Sequence, residues 1–271
     1  GNYGPSVTDK ENVHNVFSVM GAWVTDSVGM VVYPPELILP ILIHEFNHSF
    51  INFDPEMFRT SGEQIYAAVG EQMARQAYGR WSIVLTEAMV RAAVIKYMKD
   101  HNFPAVEITK ETVIQKTRGF VWISKLVDEL EKYSSDRTTY PTLNSYMPRL
   151  AEAYTGFAQY TANYDSIRPK VVSIDEFTNG DTTVRSDIKT ITVHFDRPLV
   201  GRGHSFNYGH LGMEAMPKII NVNYANDNRT VIIGVELLPG KEYGITLLGL
   251  SFRTPEGDAI KPYEISFKTA E

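Results

Sequence analysis

The chain has 271 residues, 43% of them hydrophobic and 21% charged, and it contains no cysteine. That composition suits folded domains with substantial cores and excludes disordered, collagen-like and low-complexity classes. A formal net charge of −6 argues against a polyanionic partner, so no nucleic acid is expected. The missing thiols remove disulfide scaffolds, cysteine nucleophiles and cysteine-ligated zinc.

The chain starts at Gly1 without a basic or apolar leader, which reads as a processing boundary with an export signal removed upstream. Residues 29–33 form a short β-like run, expected as a strand beside a cleft. An apolar stretch over residues 37–53 follows and is expected to form a buried helix. Pro35 suits its first turn, and Pro40 lies early enough to leave the later turns intact. Ile41, Leu42, Ile43, Phe46, Phe50 and Ile51 are expected to bury this helix on most sides, with Asn52 capping its end. The apolar run spans too few residues to cross a bilayer, so no transmembrane segment is expected.

Helical spacing continues over residues 63–78, with Ser61 as N-cap, then over 81–99, 111–133 and 141–160, with a polar turn at 134–139. At about residue 166 the pattern changes. Short β-branched and aromatic runs at 171–174, 188–195, 219–224, 230–235, 243–248 and 263–268 are broken by Asn, Asp, Gly and Pro, the signature of an antiparallel sandwich. The expected fold is therefore multidomain α+β, with a mainly helical domain at 1–166 and an all-β sandwich domain at 167–271.

Chemistry concentrates in His44-Glu45-Phe46-Asn47-His48, an HExxH sequence. Histidines four apart stand one above the other on a helix, so both imidazoles reach one ion while Glu45 stands beside it. The bland alternative is a core helix with two hydrogen-bonded histidines, but a buried glutamate between them is costly without a metal or a partner. Catalytic zinc takes three protein ligands and an open position. Glu87, an acid inside an otherwise apolar helix, is the expected third ligand, alongside the reading that it merely pairs with Arg91 at i, i+4. Both hold if Arg91 orients the carboxylate. Metal: His44, His48 and Glu87 around Zn2+; catalytic base: Glu45, which takes a proton from activated water during hydrolysis of a peptide or related amide. Tyr140, Tyr146 and Tyr154 are placed to stabilise an oxyanion but read first as packing residues, and none is assigned. His14 and His101 read as solvated, and His204 and His210 as residues of a Gly-rich sandwich loop over 201–210.

His44-Glu45 to His48, with Thr86-Glu87, resembles the gluzincin branch of zinc metallopeptidases, whose third ligand is a glutamate on a later helix. More closely, Ile43-His-Glu-Phe-Asn-His-Ser-Phe-Ile-Asn52 with Glu87-Ala-Met-Val-Arg-Ala92 resembles an uncharacterised family of exported bacterial proteins carrying HEFxHxFxN and an ExxVRA-like segment. This chain departs from that pattern with Phe53 in place of proline. Membership implies peptidase-like chemistry. In the second half, Arg168-Pro-Lys-Val-Val-Ser-Ile174, Ile191-Thr-Val-His-Phe-Asp-Arg-Pro198, Leu238-Pro-Gly-Lys-Glu-Tyr243 and Ile265-Ser-Phe-Lys-Thr269 are similar to bacterial Ig-like modules. Those modules imply export to the periplasm, cell surface or medium of a bacterium, and contact with a surface or glycan.

The reading is an exported zinc metallopeptidase acting on a peptide or protein substrate. The alternative is a non-catalytic surface binding protein with a structural or vestigial metal site.

Overall fold

The computed structural model describes residues 4–51 and 54–271 and forms two compact units, Gly1–Asn163 and Tyr164–Glu271. Asn52, expected to cap a helix, and Phe53 lie outside the described residues. No helix among the described residues is long and apolar enough to cross a membrane.

The first unit opens with two antiparallel hairpins. β1 (Ser6–Thr8) pairs with β2 (His14–Val16), and β3 (Val24–Thr25) pairs with β4 (Val31–Val32). The run expected at 29–33 is thus half of a two-residue ladder.

Among the described residues six helices follow: α1 (Pro35–Asn47), α2 (Pro55–Ala74), α3 (Trp81–Asp100), α4 (Ala105–Thr117), α5 (Ile123–Ser135) and α6 (Leu143–Ala162). α3 is the centre, packed against α1, α2, α4 and α5. Its sequence explains this position, since Val84, Leu85, Ala88, Met89, Val90, Ala92, Val94 and Ile95 leave no polar face and all are buried. At Gly62 of α2, a Cβ would lie 2.4 Å from the Trp81 ring of α3, so the two helices meet at a contact only glycine permits.

Four expectations for this unit are corrected. α2 begins eight residues early, because the Asp54 side chain accepts from the Glu56 N–H and Pro55 occupies the first turn. Ser61 is no cap but a buried residue donating to the Phe58 carbonyl. The single helix expected over 111–133 is two. α4 stops in a Schellman motif, in which Gly119 (φ 104°) donates to the Lys116 carbonyl at 3.0 Å and Phe120 to Gln115 at 3.1 Å. Only glycine takes that φ without strain, and Gly119 therefore ends α4. Last, α1 is not buried on most sides. Phe46 is 37% and Phe50 70% exposed, since the main helical partner of α1 is α3, which covers a single face.

The second unit begins with the turn α7 (Tyr164–Ile167). The expected boundary at 166/167 would cut this turn. Tyr164 hydrogen-bonds Asp258, and Arg168 donates to the carbonyls of Ala259 and Ile260, so the turn is tied into the second unit.

Two antiparallel sheets follow. β5 (Val171–Ile174), β6 (Thr190–Phe195), β9 (Thr230–Glu236) and β8 (Lys218–Tyr224) form one, in the order β5-β6-β9-β8. β11 (Tyr263–Lys268), β10 (Glu242–Leu247) and β7 (Phe206–Tyr208) form the other, in the order β11-β10-β7. Alternating side chains from both sheets, among them Ile191, Val193, Ile233, Ile245, Leu247 and Ile265, share one apolar core with Phe252. β7 was not anticipated. It rises within the Gly-rich segment expected to be loop, pairing Phe206 with Leu247 and Tyr208 with Ile245.

Candidate metal centre

α1 supplies His44 near its end, and His48 is the C-cap residue. The HExxH sequence thus closes the helix and does not lie mid-helix as expected. His48 keeps α-helical backbone angles (φ −53°, ψ −30°), which preserves the i, i+4 stacking of the two rings. Their Nε2 atoms are 3.3 Å apart, with the ring planes at 82°.

Glu87 projects from α3 between them. Its Oε2 is 3.6 Å from His44 Nε2 and its Oε1 is 3.4 Å from His48 Nε2. Among the described residues this is the one group of three or more His, Asp or Glu side chains whose ligand atoms all lie within 4.8 Å of one another. A tetrahedral ion with bonds of 2.0–2.2 Å requires ligand atoms roughly 3.3–3.6 Å apart. The 3.3 Å between the two Nε2 atoms and the distance from each to its nearer Glu87 oxygen, 3.6 and 3.4 Å, fall in that range, and the donor set of two imidazoles and one carboxylate suits zinc.

The electrostatics agree with that use. Burial lowers His44 to about 3, with Arg91, His48 and Arg118 adding to the effect. His44 is therefore a neutral imidazole at ordinary pH, the form that ligates metal. Glu45 is 7% exposed, and burial pushes its carboxyl above the usual range; the charge of Glu87 adds to this and His48 opposes it.

Behind Glu87 lies a buried polar chain. Arg91 Nη2 donates to Glu87 Oε2 at 3.2 Å and to the Tyr78 hydroxyl at 2.7 Å, while Nη1 donates to Gln115 Oε1 at 2.9 Å. Tyr78 donates to the same Glu87 oxygen at 3.2 Å. The Arg91 guanidinium also lies 5.0 Å from the centre of the Phe120 ring. The i, i+4 ion pair and the approach to the histidines thus coexist at one carboxylate.

Tyr78 reaches Glu87 because α2 ends in a second Schellman motif, with Tyr78 donating to Met73 and Ala77 to Ala74, both at 3.0 Å. Ala77 takes φ 67° there, a left-handed conformation costly for a residue with a Cβ.

Sequence reasoning missed Tyr78, Gln115 and Arg118. The available signal was the spacing of Ala77-Tyr78 and Gly119-Phe120 after helical periods, which marks two helix ends facing α3. The three tyrosines considered beforehand are elsewhere: Tyr146 donates to Glu129 at 2.8 Å, Tyr140 packs edge-on against it, and Tyr154 is fully buried against Phe58. His14 contacts Thr8, and His101 stacks on Tyr97 with ring centres 3.8 Å apart. In the second unit His204 stacks on Phe206, and His210 pairs with Glu264 at 2.7 Å.

The cluster opens onto a cleft of about 810 Å³, whose walls include Ile41, His44 and Glu45 of α1, Arg91 and Val94 of α3, and Glu111 and Gln115 of α4.

The chain belongs to a family described as a domain of unknown function, DUF4932, whose model matches residues 1–153. No curated protein matches the sequence. Among solved structures, the N-terminal part of the bacterial S-layer protein SbsC is 14% identical over 86% of this chain, with a TM-score of 0.28. Domains 1–6 of the surface layer protein SbsC are 13% identical over 85% of this chain, also with a TM-score of 0.28. This chain spans 57% and 33% of the lengths of those two chains.

Proposed function

We propose that this protein is a zinc-dependent hydrolase, a gluzincin-like metallopeptidase in which His44, His48 and Glu87 hold the ion and Glu45 is the general base. The observation that carries the reading is the convergence of two Nε2 atoms 3.3 Å apart with the Glu87 carboxylate, one oxygen 3.6 Å from His44 and the other 3.4 Å from His48, at the wall of an open cleft. Zinc held there would lower the pKa of a coordinated water toward neutrality and polarise a substrate carbonyl.

The protein's own side chains supply the rest. Glu45 lines the cleft, and its raised pKa lets its carboxylate take a proton from water and pass it to the departing amine nitrogen. Tyr78 and Arg91 fix the rotamer of Glu87 through two bonds to one oxygen, leaving Oε1 facing His48. Val94, Met98 and Phe103 give the cleft the apolar wall on which a peptide side chain is desolvated. The β unit fits an Ig-like accessory module, on its two antiparallel sheets around one core. Such a module accords with an exported enzyme that meets its substrate at a bacterial surface.

Protein purified without chelator is expected to carry about one zinc per chain. Glu45→Gln is expected to keep the zinc and lose hydrolysis of an unstructured protein such as casein. Loss of no activity in Glu45→Gln, or no zinc in the wild type, would return the non-catalytic surface-binding reading.

A further inference from the structure

Arg118 lines the same cleft wall as His44 and Glu45, and its side chain is exposed. Its guanidinium has no hydrogen-bond or ion-pair partner among the described residues. The other charged groups of the cleft differ from it. Arg91 is consumed by Glu87, Tyr78 and Gln115, and Glu111 accepts from Gln115. Lys110 and Glu107 sit on α4 eight and eleven residues before Arg118, about 12 and 16 Å back along the helix axis.

The backbone of Arg118 is held more firmly than that of an ordinary surface arginine. Its N–H donates to Ile114 at 3.0 Å, and its carbonyl accepts from Gln76 Nε2 at 2.7 Å. The preceding carbonyl, of Thr117, accepts from Gln72 Nε2 at 2.6 Å. Gln72 lies in α2 and Gln76 in the turn that closes it, and the Schellman turn at Gly119 fixes the other side. The result is a free guanidinium on a clamped backbone, in the wall of the cleft that His44 and Glu45 also line. A planar guanidinium in such a place pairs best with a carboxylate, through two parallel hydrogen bonds.

We infer that Arg118 binds a carboxylate of the substrate, making the cleft selective for peptides with a negative charge next to the bond that is cut. The inference rests on the hydrolase reading for its chemistry and names the substrate class. Either a C-terminal carboxylate or an acidic side chain offers this group.

The test uses quenched fluorescent peptides in matched pairs, one differing only as Glu against Gln beside the scissile bond, the other as free C-terminal acid against amide. Zinc-loaded wild type is expected to prefer the charged member of one pair by about ten- to a hundred-fold in kcat/KM. The responding pair tells which carboxylate is bound. In Arg118→Ala the ratio should fall to about one, and Arg118→Glu should invert it. An unchanged ratio in Arg118→Ala overturns the inference.

Binding of the same peptides to Glu45→Gln protein, read by fluorescence anisotropy, separates the two claims. Charge preference in binding that Arg118→Ala abolishes upholds Arg118 even if the wild type cuts nothing, and only the hydrolase reading then falls. No charge preference in either cleavage or binding overturns the role of Arg118.

Discussion

The two units bury different things. The core of the β unit is a run of aliphatic and aromatic side chains, and its buried polar residues among those described are Thr254 and Thr269. The helical unit buries Glu45, Arg91, Gln115, Lys116 and Glu129 as well. Burying charge opposes folding unless each group finds a partner. In the β unit the sequence avoids that cost; in the helical unit it accepts the cost, and around α3 it links Arg91 and Gln115 through Tyr78 and Glu87 into one polar chain beside His44 and His48, while Glu129 pairs separately with Tyr146 and Lys132. A framework needs only the first kind of core, whereas a site needs the second.

The sharpest way to test the contrast is one substitution in each core. Glu87→Ala leaves the Arg91 guanidinium buried without its carboxylate, and it should cost about 3–5 kcal/mol and abolish zinc binding. Phe252→Ala, at a fully buried position of the β core, should cost about as much through its cavity, 3–5 kcal/mol, but leave the zinc content of folded protein unchanged. Urea unfolding and metal analysis of the two variants give both readouts; zinc retained in Glu87→Ala would break the comparison.

A smaller effect is expected from Tyr78→Phe, which removes one of the two donors fixing Glu87. It should lower stability by about 1 kcal/mol and zinc affinity by about ten-fold, as seen by competition with a chromophoric chelator. The smallest change concerns the backbone that delivers Tyr78. Ala77 sits at φ 67°, so Ala77→Gly should stabilise the protein by about 0.5–1 kcal/mol in the same unfolding assay. Destabilisation there would mean that the left-handed turn is not where the strain lies.

Much of both units was legible because the signals are local. The apolar wrap of α3, the alternation in β6 and β9 and the spacing of His44 and His48 each need only a few neighbouring residues to be read. Glu87 could be singled out because an acid stands alone there among Leu85, Ala88 and Val90. The division of residues 111–133 was legible too, in Gly119, but helical spacing on either side outweighed one glycine. The exposure of Phe46 and Phe50 was not legible, since burial depends on what packs against α1 and not on its own pattern. β7 escaped for a related reason: three residues in a Gly-rich segment become a strand only because β10 presents an edge to them.

The sequence by itself singled out the candidate cluster, because the types and short spacings of His44, Glu45 and His48 place both imidazoles on one side of a helix. Tertiary structure decided the company they keep. Two helix ends, one closed by the strained Ala77 and one by Gly119, bring Tyr78 and Gln115 to Arg91 of α3 and Arg118 to the cleft wall, from positions that no periodicity connects. Contacts across such turns are set by packing between helices, and they exist only once the chain has closed on itself.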